Sequence, residues 1–258
     1  MDVFNSICQD DVLCFWATRY DSMNDPTDYI YSKQKVEKQL KSYYKNCKWE
    51  NEDAYPYILS FSKKEDDFYM WRMYSANISF EIDYEEIRKW VSDNNLRNDK
   101  VDFLVLGECR YPQDDDNIID KFKEIRNELN PCNDEHVNAQ EAFVFIKRFE
   151  FKDENEIRLC AFDYDGSIFY EKNDKYVICD LEIPKNVKVK CVKDNDIILY
   201  KEFRIPKTAL TGIFINCNTN EEFEKIKSHI RVVLLSKRYD ITKIHIRKTN
   251  TGNRINNL

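Results

Sequence analysis

Along this chain the spacing of apolar residues changes repeatedly from two to three-and-four and back. The short apolar run Val12 to Thr18 (VLCFWAT) predicts a buried strand, whereas Val36, Leu40, Tyr43 and Tyr44 recur at helical spacing within Lys33 to Asn46. Tyr57 to Ser62 (YILSFS) predicts a strand, Glu65 to Ser75 a helix with an acidic first turn, and Asn77 to Asp83 a further strand. Helices are expected over Tyr84 to Asn94, Asp116 to Leu129 and Glu135 to Phe149, with the strand Val101 to Tyr111 among them. The second half is strand-rich: EIRLCAF, SIFYE, YVICDLEI, VKVKCV, IILYKEF and TGIFINC, with Asp165-Gly166 as a hairpin turn. A helix over Glu221 to Arg238 and the alternating strand ITKIHIRKT close the pattern. The expected class is α+β, with helices mostly in the N-terminal half and antiparallel or mixed central sheets. A single domain is expected over residues 1–248, followed by a flexible tail over 249–258.

Composition narrows the function classes. The chain has 258 residues, 42% of them hydrophobic and 14% aromatic, enough for a sizeable core. Its net charge of -7 argues against a large basic face for duplex nucleic acid. No apolar stretch approaches the length of a membrane helix, and the acids in MDVFNSICQDDV do not suit a signal peptide, so a cytoplasmic protein without membrane partners is expected. The nine cysteines are scattered, with no CxxC spacing, which favours reduced core thiols. His136, His229 and His245 supply no visible metal-ligand set, so no metal is expected. With only four glycines, no two of them close together, a phosphate-cradling loop or dinucleotide fingerprint is excluded.

Three stretches carry candidate chemistry. In ATRYDSMNDPTDY, Asn24-Asp25-Pro26 is turn chemistry, but the turn does not demand Thr18-Arg19 before it or Asp28 after it. In YILSFSKKEDDFYMWRMYS, Met70, Trp71 and Tyr74 fall on one side of the expected helix, either as a core stripe or as a wall for a planar ligand. In FKDENEIRLCAF, a strand over Glu154 to Phe162 would send Glu154, Glu156, Arg158, Cys160 and Phe162 to one face, charged at one end and apolar at the other. Two carboxylates at that spacing repel unless a cation such as Arg158 lies beside them, so the trio is either a chemically loaded site or a salt-bridged strand end. Runs of acids at Glu65 to Asp67 and Asp114 to Asp116 suggest a magnesium-dependent nuclease less well than solvated caps.

Taken in order, FWATRYDSMNDPTDY, YILSFSKKEDDFYMWRMYS with ISFEID, FEFKDENEIRLC, and IPKTALTGIFINCNTNEEFEKIKSHI resemble the bacterial domain-of-unknown-function family 2971, over about Val12 to Arg247. The last two elements also resemble, more distantly, the carboxyl half of ADP-ribosyltransferase-like folds, including nucleic-acid-modifying toxins. That resemblance implies NAD as a substrate, with Glu156 stabilising the oxocarbenium-like transition state and Glu154 orienting the acceptor. It further implies that Arg19 pairs with cofactor phosphates, Asn24 and Asp25 shape the pocket rim, Trp71 or Tyr74 stacks on a ring, and Arg158 lies at the cofactor. The acceptor, protein or nucleic acid, stays open, and a bacterial phage-defence or toxin setting is implied. Such folds usually begin with a strand bearing a His-Tyr-Thr or Tyr-Arg grip, and here only MDVFNSICQDDV precedes the FWATR strand. Either Arg19 substitutes for that grip, or the chain is a degenerate member that binds a nucleotide or protein without turnover.

Overall fold

The computed structural model describes residues 2–23, 27–43, 54–66, 71, 77–95, 104–113, 117–129, 139–164, 170–172, 175–177, 187–191 and 197–249. It is a mixed α+β protein with antiparallel and mixed sheets. Its contacts group the chain into two compact units, one formed by Met1–Phe15, Ser62–Leu96 and Phe203–Leu258, the other by Trp16–Phe61 and Arg97–Glu202.

The first unit contains helix α1 (Asp2–Ile7), strand β3 (Ile78–Ile82), helix α3 (Tyr84–Asn95), strand β10 (Leu210–Ile215), helix α6 (Asn220–Ser236) and strand β11 (His245–Lys248). β10 is central in a three-stranded sheet, antiparallel to β3 and parallel to β11. Parallel neighbours need a crossover, and α6 supplies it. Its start is set by Thr219, whose hydroxyl accepts the Glu222 N–H at 3.1 Å, and its buried stripe is Ile230 and Leu234. Phe80 of β3 stacks on Phe4 and meets Phe15 edge-on, with centroids 5.6 and 5.7 Å away. The helix α1 was not foreseen in the sequence, because its length of six residues is too short for a periodic signal. Thr249, where a loose tail was expected to begin, is buried and donates its N–H to Ile215 O; residues 250–258 lie outside the described residues.

The second unit holds helices α2 (Thr27–Tyr43), α4 (Ile118–Leu129) and α5 (Ala139–Phe143), strands β4 (Leu104–Glu108) and β5 (Glu156–Tyr164), strand β8 (Lys188–Cys191), and the hairpin of β6 (Tyr170–Lys172) with β7 (Lys175–Val177). Strands β1 (Val12–Arg19), β2 (Ala54–Ser62) and β9 (Ile197–Pro206) complete a six-stranded sheet of order β4-β5-β2-β1-β9-β8. The pairs β1–β2, β4–β5 and β8–β9 are antiparallel. The core gathers Ile118, Ile119, Phe122 and Ile125 of α4, Tyr29 and Val36 of α2, and Ile58, Val105, Cys160 and Phe162 from the strands. The i, i+1, i+4, i+7 spacing of the α4 residues is why that helix buries one stripe.

Two expectations need correction here. The helix expected over Glu135 to Phe149 is reduced, among the described residues, to α5, after which Val144, Phe145 and Ile146 run on fully buried without helix. Their backbone instead pairs with Arg110, whose N–H donates to Phe145 O at 2.7 Å and whose carbonyl accepts the Lys147 N–H at 2.9 Å. A wholly apolar run has no face for water, and this tertiary bridge satisfies it better than an amphipathic helix would. The strand expected from Glu154 begins at Glu156; Phe149–Glu154 is a 3-10 turn closed by Asn155 in the left-handed region (φ 46°, ψ 54°). The expected helix over Glu65 to Ser75 and the Asp165-Gly166 turn lie largely outside the described residues.

Candidate functional site

In the second unit the side chains of Asp28, Lys147, Arg148, Glu154, Glu156 and Arg158 meet in one charged cluster. Asp28 comes from the first turn of α2, where the helix N-terminus favours an acid, and Ser32 anchors that turn by donating to Phe143 O at 2.8 Å. Lys147 and Arg148 follow the buried Val144–Ile146 segment. Glu154 ends the 3-10 turn, and Glu156 and Arg158 open β5 on one face at strand period. The left-handed Asn155 redirects the chain between the two glutamates, so both carboxylates reach Lys147.

The contacts are short. Lys147 Nζ lies 2.5 Å from Glu154 Oε2, 2.8 Å from Glu156 Oε2 and 3.4 Å from Asp28 Oδ2. Arg158 binds Glu156 in a fork, Nε to Oε1 at 2.8 Å and Nη2 to Oε2 at 3.2 Å, and donates Nη1 to Val144 O. Arg148 Nε donates to Asp28 Oδ1 at 3.2 Å. Backbone bonds fix the same place: the Glu156 N–H donates to Tyr111 Oη at 2.8 Å, and its carbonyl accepts the Cys109 N–H at 2.9 Å. Glu154, Glu156, Arg158, Lys147 and Asp28 are all buried, so water screens little of this charge.

Burial alone would push the Glu156 carboxyl up, but Arg158 and Lys147 outweigh it and hold the group at about 2. Burial opposes protonation of Lys147 and Arg158, and the Glu156 carboxylate and other neighbours more than offset it, so both are raised. The thiols of Cys109 and Cys160 are pushed up by burial, against the lowering effect of Arg158. Glu156 is therefore held as a carboxylate between the cations Lys147 and Arg158 and has no proton to give as a general acid near neutrality.

Of the residues singled out in the sequence, Glu154, Glu156 and Arg158 are brought together, and Asp28, noted beyond the Asn-Asp-Pro turn, joins them. Arg19 does not: it forks onto Asp21 at 2.8 and 2.7 Å and lies 5.3 Å over the Tyr55 ring. Trp71 belongs to the other unit, where it is buried and donates Nε1 to Asp66 Oδ1 at 2.8 Å. Asn24, Asp25 and Tyr74 lie outside the described residues. Lys147 and Arg148 were missed because they sit at the end of an apolar run read as helix. The signal was charge balance: two glutamates and an aspartate drawn inward need more cations than Arg158 alone, and the adjacent Lys-Arg pair supplies them.

Among the described residues, Cys8, Cys14, Cys109, Cys160 and Cys217 are buried free thiols, and no group of three or more His, Cys, Asp or Glu is placed to hold a metal ion. No described helix is long and apolar enough to cross a membrane. No family model matches the chain, and neither the curated proteins nor the solved structures give a match.

Proposed function

We propose that the chain is a nucleotide-binding module in which the charge cluster is the rigid base of the ligand site and Glu156 does no chemistry. The observation behind this reading is the state of Glu156, which is 5% exposed with both oxygens held by Arg158 and Lys147. A carboxylate that accepts a ribose hydroxyl and answers a developing oxocarbenium charge must face its ligand. Arg148, with a side chain 32% exposed at the cluster's edge and 4.7 Å from the Phe151 ring, is the group that meets a phosphate, with Lys152 on the adjoining turn. Calorimetry with NAD and ADP-ribose tests this: saturable binding, weakened by Arg148→Ala and unaccompanied by nicotinamide release, is the expected result. Absence of any binding by the folded protein would refute it.

A second reading is favoured by the convergence of Glu154, Glu156 and a cation pair at one place. It is an NAD-consuming, ADP-ribosyltransferase-like enzyme of a cytoplasmic phage-defence or toxin system, with Glu156 stabilising the transition state once ligand binding opens the cluster and Glu154 turned to the acceptor. Nicotinamide release from NAD, abolished by Glu156→Gln in a folded variant, would establish it over the binding module.

A further inference from the structure

We propose that the sheet face carrying Trp16 is a binding site for a nucleobase with its phosphate, presented by a single-stranded nucleic acid. The inference rests on ring geometry and not on the charge cluster. Trp16 lies within β1, a strand flanked on both sides by β2 and β9, yet it is 42% exposed while its neighbour Ala17 is fully buried. The indole is thus partly exposed on this sheet face. Beneath it lies Tyr200 of β9, buried, with centroids 4.4 Å apart and rings inclined by 29°. The register pairs Lys188 with Tyr200 and Lys190 with Ile198, so both lysines of β8 rise on this same face. Lys190 places its ammonium over the indole ring, 4.8 Å from the centroid, and Lys188 pairs with Glu202 at 2.6 Å.

An indole held flat by a tyrosine has already lost its rotamer freedom, so stacking a base on it costs little further ordering. Every base offers a π face to such a platform, and a base that stacks there takes the place of the Lys190 ammonium over the ring, which turns to the phosphate that follows. A duplex hides its base faces and cannot use the site. The net charge of -7 opposes any polyanion, so the affinity is set locally and falls with salt by about the slope of one phosphate contact.

The test is the anisotropy of a labelled oligothymidylate, titrated with the full chain at low ionic strength. Saturable binding that weakens with added salt is expected, with Trp16→Ala weaker by about five- to a hundredfold, as for loss of one stacked base, and Trp16→Phe retaining part of it. Lys190→Ala should reduce the salt slope by about one. Binding that survives Trp16→Ala, or none by protein of native circular dichroism, overturns the proposal. Competition by a mononucleotide as strong as by the strand overturns the strand as its source, and equal competition by inorganic triphosphate overturns recognition of the base.

Discussion

At the scale of the residue, Glu156 carries the sharpest consequences. Replacing it with Gln leaves Lys147 and Arg158 buried with too little negative charge, and the expected loss of stability is roughly 3–5 kcal/mol, the range for breaking a buried ion pair from one side. Arg148→Ala, at the exposed edge of the same cluster, should lose about 1 kcal/mol or less. Urea unfolding of the two variants measures both, and equal losses would mean that the cluster is more hydrated than its burial indicates. The carboxyl also fixes the direction of an acid effect. Its folded-state value is depressed from 4.5 to about 2, so the stability it contributes is present above 4.5 and lost as the pH falls from there through about 2. Wild-type stability should therefore fall across that interval, and Glu156→Gln should show a shallower fall in the same titration.

At the scale of the element, the chain direction between the 3-10 turn and β5 depends on Asn155. A positive φ of 46° is tolerated by Asn or Gly but strained for a β-branched residue. Asn155→Gly should fold with native stability, whereas Asn155→Val should lose roughly 1–3 kcal/mol of stability and, by moving Glu154 off Lys147, loosen the cluster. Thermal melts of the pair check this. Gly107 is constrained by packing instead: a Cβ there would meet the Phe145 ring at 3.0–3.3 Å, against a side chain with no exposed surface to give way into. Gly107→Ala should accordingly cost roughly 1–3 kcal/mol as overpacking, again read from the melting temperature.

At the scale of the whole molecule, helices α2, α3, α4 and α6, most of the described strands and the α+β class were legible because burial in each element follows its own period, as in the Ile118, Ile119, Phe122, Ile125 stripe of α4. Glu154, Glu156 and Arg158 were legible as a group because charged residues within five positions cannot avoid one another. Their partners were not. Asp28 lies 120 positions before Arg148, a separation that no local pattern reports.

The sequence by itself determined which residues are apolar at which period, and with them the elements and the abundance of acid on the chain. Only the tertiary structure decided that an apolar run after α5 pairs with Arg110 instead of continuing as helix, since a buried backbone takes whichever partner completes its hydrogen bonds. It decided as well that Glu156 is an ion held between Arg158 and Lys147 and not an open acid, because the charge state of a buried carboxylate is set by neighbours that folding brings from distant parts of the chain.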